Sequence, residues 1–217
     1  MKNIVYHLLL FFEGLIRNVS GGIGIKIRYL YYRKRFYKCG YNVRISENVF
    51  FENCSSIELG NNISILQNTI ISGPSALPKK RIIISKAKRL KTLSIGDETS
   101  IGSFNIINGG GNLKIGNKVT TSAYVSIYSH SHLPYLSDRN EIVYANAMVQ
   151  NDKIACIDTQ IILQDGVWLG LNVKVFQGTI GTNTFVKTNS VVTNDLKKNS
   201  VYEGNPAIFK ENRFNVK

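Results

Sequence analysis

Residues 161–193 read IILQDGVWLGLNVKVFQGTIGTNTFVKTNSVVT, and their apolar side chains return at every sixth place. Val167, Val173, Phe185 and Val191 keep that step, with Thr179 in the remaining slot. Leu163, Leu169 and Val175 repeat it two places on. The same beat runs backwards through the chain. Ile57, Ile63 and Thr69 pair with Leu59, Ile65 and Ile71; Leu93 and Thr99 go with Ile95, Ile101 and Ile107; Leu113, Val119 and Val125 go with Ile115 and Ile127. Three copies of apolar–x–apolar–Gly mark it most clearly: Ile57-Glu58-Leu59-Gly60, Leu93-Ser94-Ile95-Gly96 and Leu113-Lys114-Ile115-Gly116.

A period of six has a direct physical reading. Alternate side chains of a strand point to opposite faces, so a six-residue unit presents two inward residues and then turns a corner. Glycine or asparagine after the second inward residue supplies the backbone angles of a tight corner. Three units close a triangular coil of roughly eighteen residues, and stacked coils pair backbone to backbone. No coil buries its own core, so the repeat has to continue for many turns. An amphipathic helix needs a period of 3.6, which these windows do not fit. The expected fold is all-β, a parallel β-helix over residues 45–205, with a tail at 206–217.

Two stretches break the period. Residues 73–92 hold Gly73, Pro74, Pro78 and the basic residues Lys79, Lys80, Arg81, Lys86, Lys88, Arg89 and Lys91, which reads as a loop inserted at a corner, with a possible return to strand at Arg81-Ile82-Ile83-Ile84. Residues 133–160 form a longer insertion before the repeat resumes at Ile161. Long loops on a rigid scaffold tend to carry function.

Residues 1–44 differ from the rest. Gly14 and Ser20-Gly21-Gly22 divide two segments, and the second predicts a short helix over Ile25–Cys39 ending at Gly40. Glu13 and Glu47 bracket a stretch with no acidic residue, and the chain as a whole carries a formal charge of +13. The basic helix is read either as a solvated cap on the β-helix end or as a face for anionic lipid. With 43% hydrophobic and 19% charged residues the composition suits a packed core rather than disorder. Cys39, Cys54 and Cys156 are odd in number and widely spaced, which signals neither a disulfide framework nor a zinc site. Met1–Phe12 is too short to span a bilayer and has no cleavage site, so a cytoplasmic, reducing location is expected.

Four motifs near the end carry a family resemblance: Gly166-Val167-Trp168-Leu169-Gly170, Gly178-Thr179-Ile180-Gly181, Ser190-Val191-Val192-Thr193-Asn194-Asp195 and Glu203-Gly204-Asn205-Pro206-Ala207. In this order and spacing they resemble the hexapeptide-repeat acetyltransferases, most closely the maltose, galactoside and polysaccharide O-acetyltransferases. The resemblance covers residue 45 to the end. It implies a left-handed β-helix, a homotrimer with active sites between neighbouring subunits, and acetyl-CoA as donor. The handedness comes from the resemblance alone, since ordinary parallel crossovers are right-handed.

His130 and His132 lie in Tyr128-Ser129-His130-Ser131-His132, directly after the strand expected to end near Ile127. Acetyl transfer to a hydroxyl needs a base as the oxygen attacks the thioester, and neutral imidazole suits that task. The resemblance places the base at His132, with His130 as its helper or substitute. The pair could otherwise be two surface histidines, or metal ligands, although no neighbouring carboxylate or thiolate in the sequence completes a metal set. Asn105 is a candidate for the acceptor pocket, or a ladder asparagine inside the coil. Trp168 could face a sugar ring or the pantetheine arm, or simply pack. Gly170, Thr188 and the loop Asn205, Pro206 and Ala207 are candidates along the CoA arm, and Lys187, Lys210 and Arg213 for its phosphates. No P-loop, dinucleotide fingerprint or nucleophile elbow is present.

The function implied is O-acetylation of a sugar in a surface polysaccharide or its precursor. The alternatives are N-acetylation of an amino sugar nucleotide and a β-helix scaffold without catalysis. Nucleic-acid binding is not expected, because charge without a recognition module gives only salt-dependent retention.

Overall fold

The computed structural model describes residues 2–76, 81–85, 88–133, 135–136, 141–142 and 154–214. From Lys38 onwards the chain winds round three sheets whose neighbouring strands run parallel. Face I runs from strand Lys38–Cys39 through Ile57–Leu59 and Asn112–Ile115 to Gly178–Ile180. Face II starts at Arg44–Ile45 and ends at Ser200–Glu203, which the antiparallel strand Ile208–Asn212 closes off. Face III runs from Phe50–Glu52 to Val191–Val192. The stack therefore begins inside the basic N-terminal segment and ends with a strand in the tail.

The inward positions are those the repeat marks. Ile57, Leu59, Ile65, Ile71, Leu93, Ile101, Ile107, Val119, Val125, Ile127, Val167 and Val173 are fully buried in one continuous core. Asparagine ladders hold the corners. Asn42 Nδ2 donates to Asn62 Oδ1 at 2.9 Å across 20 residues, and Asn48 to Asn68 at 2.8 Å across the same interval. The first coils are thus longer than eighteen, because a corner is extended by the short turn Cys54–Ser56 and, later, by Gly109–Gly111. At the corner between faces I and II the step grows to 36 residues between Asn61 and Asp97 and to 48 between Asn117 and Asp165, because an insertion intervenes each time at the corner between faces III and I.

Asparagine and glycine divide the corner work differently from the expectation. The left-handed backbone angle is taken mostly by asparagine, with φ of 53° at Asn42 and 56° at Asn62, and at equivalent corners by Glu98, Phe104, Lys118, Tyr124 and Gly166. Gly116 keeps an ordinary φ, but a Cβ there would stand 2.5 Å from Asp165 Oδ1. Close stacking of successive coils is what demands glycine at that corner.

One part of the six-step reading is corrected. Val167 and Val173 point inward, but Thr179, Phe185 and Val191 are only half-buried. The corner after Val175 is one residue short, so the inward set becomes Gly178, Ile180, Thr184, Val186, Ser190 and Val192. A one-residue slip exchanges inside for outside along a strand. The rungs shorten accordingly, to 17 residues at Asn172–Asn189 and 16 at Asn183–Asn199.

Two helices precede the stack: α1, Lys2–Arg17, and α2, Gly21–Tyr32. The expected helix over 25–39 starts earlier and stops at Tyr32, because Lys38–Cys39 is drawn into face I against Glu58–Leu59. Tyr32 and Phe36 close the first coil, each with its ring centroid 4.9 Å from that of Phe51. Cys54 and Cys156 are buried and Cys39 half-buried.

The two insertions meet. Strand Ile154–Asp158 pairs antiparallel with His130–His132 and parallel with Arg81–Ser85, giving a small sheet outside the prism. The run at Arg81 is therefore a strand, but not a strand of the coil. Lys79, Lys80 and Lys86 lie outside the described residues.

Candidate active site

The strand Ser126–Tyr128 lies within face III between Ile106–Asn108 and Lys174–Val175, and at its end the chain steps out through buried Ser129 into His130–His132. Ser129 anchors the step: its Oγ donates to Asn108 O at 2.9 Å and accepts Gly111 N–H at 3.0 Å. Residues 130 and 132 share a strand face, and their ring centroids are 6.1 Å apart at a steep mutual angle.

His130 is largely covered and has a carboxylate beside it. Its Nδ1 lies 2.7 Å from Asp158 Oδ1, and the Asp158 side chain is 2% exposed. An ionised carboxylate only accepts, so this contact favours the imidazole tautomer with its proton on Nδ1, while Arg89 Nη2 stands 3.5 Å from the same nitrogen. Arg89, from the first insertion, stands on the other carboxylate oxygen, Nε to Oδ2 at 3.4 Å, and its Nη1 donates to Ser75 O at 3.2 Å. One cation and one anion thus meet under the imidazole, which limits the cost of burying Asp158. Gly110 makes room for the ring, since a Cβ there would meet His130 Cβ at 2.9 Å.

His132 is exposed and lines a groove of about 420 Å³ with Tyr128, Ser131, Ile157, Phe176 and Thr193. The groove follows the edge of face III down the stack, with Tyr128 and Phe176 stacked at 6.3 Å between centroids. Thr159 Oγ1 donates to Phe176 O at 2.6 Å and ties the returning insertion to this edge. A larger groove of about 640 Å³ runs along face I past Glu58, Ser94 and Lys114 and contains neither histidine.

The sequence reading found both histidines but missed their partners. It saw no carboxylate near the pair, whereas Asp158 is brought there by strand pairing across the 133–160 insertion. The buried single-residue register His130↔Asp158 has no linear signature. Arg89 was visible only as one of seven cations in the first insertion. Among the described residues no cluster of three or more His, Cys, Asp or Glu side chains could hold a metal.

Asn105 lies inside the coil with no exposed surface. Its Nδ2 donates to Thr121 Oγ1 at 2.6 Å, and its Oδ1 accepts Val125 N–H at 2.6 Å. The ladder reading of this residue is the one that fits; an acceptor has nothing of it to touch. Trp168 is 44% exposed on face II, leaning on Phe185 with its Nε1 donating to Ser122 Oγ at 3.3 Å. That is a different face of the prism from the strand leading to the histidines.

The remaining candidates gather at the far end of face II. Gly170 stacks under Lys187 and Thr188, donating its N–H to Val186 O at 2.8 Å. Lys187 and Lys210 converge on Glu203, at 3.5 Å and 3.7 Å. The bend Gly204–Ala207 contains a cis Asn205–Pro206 bond, and Ala207 N–H donates to Val191 O at 2.8 Å. Arg213 is turned inward onto Asn183 O at 2.9 Å and Gly166 O at 3.4 Å. As placed it secures the tail against the last coils.

No family model and no curated protein matches the chain. Solved structures do. AntD, an N-acyltransferase from Bacillus cereus in complex with dTDP and 3-hydroxybutyryl-CoA, is 18% identical with a TM-score of 0.65, over 86% of this chain and 88% of its own. A variant of AntD bound to dTDP-4-amino-4,6-dideoxyglucose and coenzyme A gives 20% and 0.68, over 86% and 89%. The hexapeptide-repeat containing acetyltransferase VCA0836 from Vibrio cholerae is 22% identical with a TM-score of 0.56, over 96% and 93%. The fold they share with this chain is the left-handed parallel β-helix.

Proposed function

We propose that the protein transfers an acetyl group from acetyl-CoA to a sugar hydroxyl, in the assembly of a surface polysaccharide, and works as a homotrimer with His132 as general base. One observation carries this reading: two histidines project just past the face III strand Ser126–Tyr128, one open to a groove and the other held by a buried carboxylate at 2.7 Å. The acceptor hydroxyl gives its proton to His132 as its oxygen attacks the thioester carbonyl. A backbone N–H receives the oxyanion, and the tetrahedral intermediate collapses with expulsion of the CoA thiolate, which takes up the proton. His130, fixed by Asp158 and Arg89, positions the neighbouring ring. The donor runs along face II of an adjacent copy past Gly170, Thr188 and Asn205–Ala207, with Lys187 and Lys210 toward its phosphates. Trp168 on that face packs the pantetheine arm or the sugar ring.

Replacing His132 by Ala is expected to lower turnover by about 10²–10⁴-fold while the melting temperature and assembly stay unchanged. Turnover at the wild-type level in a folded His132→Ala protein would end the assignment.

A second reading is favoured by AntD, an N-acyltransferase seen with an amino sugar nucleotide. Here the acceptor is an amine, which needs less help from a base once it is neutral. Steady-state rates with matched hydroxyl and amino sugar acceptors separate the two.

A further inference from the structure

The two N-terminal helices are turned the wrong way round for water. α1 buries Glu13, at 3% exposure, yet leaves Leu8, Phe11, Phe12 and Leu15 between 51% and 68% exposed. α2 buries Arg28 completely and leaves Ile23, Ile27 and Leu30 outside. This orientation is specified rather than loose. Glu13 accepts hydrogen bonds from Tyr31 Oη at 3.2 Å and Tyr32 Oη at 3.0 Å and pairs with Arg35 at 3.4 Å. Arg28 donates to the carbonyls of Ile16 at 3.1 Å, Val19 at 2.6 Å and Ile45 at 2.8 Å, so it ties the end of α1 to the first coil. Rotating either helix to hide its leucines would strand these buried charges.

A surface helix normally shows the opposite pattern, and a contiguous exposed apolar patch marks an interaction site. The occupant follows from the charge around it. Lys34 and Arg35 edge a groove lined by Leu9, Phe12, Ile27 and Leu30, and Lys26, Arg33 and Lys38 are exposed nearby. The chain carries +13, so a second copy brings like charge to this face. No helix among the described residues is long and apolar enough to cross a bilayer. We infer that α1 and α2 lie in the surface of an anionic phospholipid bilayer, apolar face down, with the cations at the headgroups. The β-helix then stands on the membrane by its first coil, and the histidines and their groove are held above it.

The test is co-sedimentation of the full chain with vesicles of phosphatidylcholine alone or mixed equally with phosphatidylglycerol. Binding to the mixed vesicles, weakened by added salt, is expected. A Phe11→Ser/Leu15→Ser double variant should bind at least about tenfold more weakly at an unchanged melting temperature, because each removed side chain forfeits its transfer into the lipid interface. A wild-type chain left in the supernatant with both vesicles overturns the inference. So does a double variant that binds like wild type, which would reduce the effect to diffuse charge. If the double variant instead converts a larger assembly to a smaller one with no vesicle effect, the face joins copies of this chain and the inference also fails.

Discussion

Exchanging Asp158 for Asn removes one charge and almost no volume from the most enclosed part of the site. In the wild-type protein its Oδ1 sits 2.7 Å from His130 Nδ1, with the side chain 2% exposed. A hydrogen bond to an ionised group contributes about 1.5–3 kcal/mol, and about 1.4 kcal/mol is a factor of ten in rate. If the His130 imidazole must hold its proton on Nδ1 to support His132, kcat falls by roughly 10- to 150-fold. The asparagine amide can instead offer its N–H to Nδ1, which moves the ring proton to Nε2. The KM for acetyl-CoA should stay within about twofold, because the donor candidates lie on face II and touch neither residue. Release of free thiol, followed with a thiol-reactive dye across a range of acceptor concentrations, gives both constants. Thermal unfolding of the same sample shows whether loss of the Arg89 partner has also loosened the insertion. A folded Asp158→Asn protein with wild-type kcat would refute the reasoning and make the His130–Asp158 pair a staple between the insertions.

Other consequences are simpler. Asn105→Ala leaves the Val125 N–H without its acceptor inside the core, which costs about 1–3 kcal/mol and lowers the melting temperature by roughly 2–12 °C, with no change in acceptor KM; a raised KM at unchanged stability would restore Asn105 to the acceptor pocket. Burial pushes the Cys54 thiol up to about 11, and burial beside Glu13 pushes the Tyr32 hydroxyl up as well. The unfolded chain therefore loses these protons first, so stability is complete below pH 9 and declines as pH rises towards 11. Urea midpoints across that window check the sign, and Cys54→Ser should flatten the decline; an unaltered slope in that variant would remove the thiol from the account.

The β-helix was legible because its signal is redundant. Each of Ile57, Leu93, Leu113 and their partners two places on repeats one requirement, an apolar side chain at an inward slot, and many coils average away single exceptions such as Thr69. What redundancy hides is phase. Val191 continues the six-step by count, but the short corner after Val175 gives the inward place to Val192, and both residues are valine. Composition cannot register a slip between like neighbours. The helices failed at their edges for a related reason: Lys38–Cys39 carries no strong strand preference and is a strand only because Glu58–Leu59 offers an open ladder.

The site was half legible for a reason that lies in how it is built. Histidines 130 and 132 are neighbours in sequence, so one strand suffices to bring them together, and the repeat that ends at Ile127 dates their position. Asp158 reaches His130 only through a pairing that skips most of the 133–160 insertion, and Arg89 arrives from another insertion two coils earlier. Neither insertion obeys the period, so no counting rule relates them. Their meeting is nonetheless favoured by the scaffold. The excursions that hold Arg81–Ser85 and Ile154–Asp158 leave from equivalent corners two coils apart, after Ile70–Ser72 and Ser126–Tyr128 with Ile106–Asn108 between them, and their strands pair outside the prism. A rigid prism that ejects loops from equivalent corners of nearby coils thus assembles charged partners that no stretch of sequence holds together. Deleting the 73–92 excursion would for this reason reach the histidines without touching them, by taking away both Arg89 and the strand against which Asp158 is held.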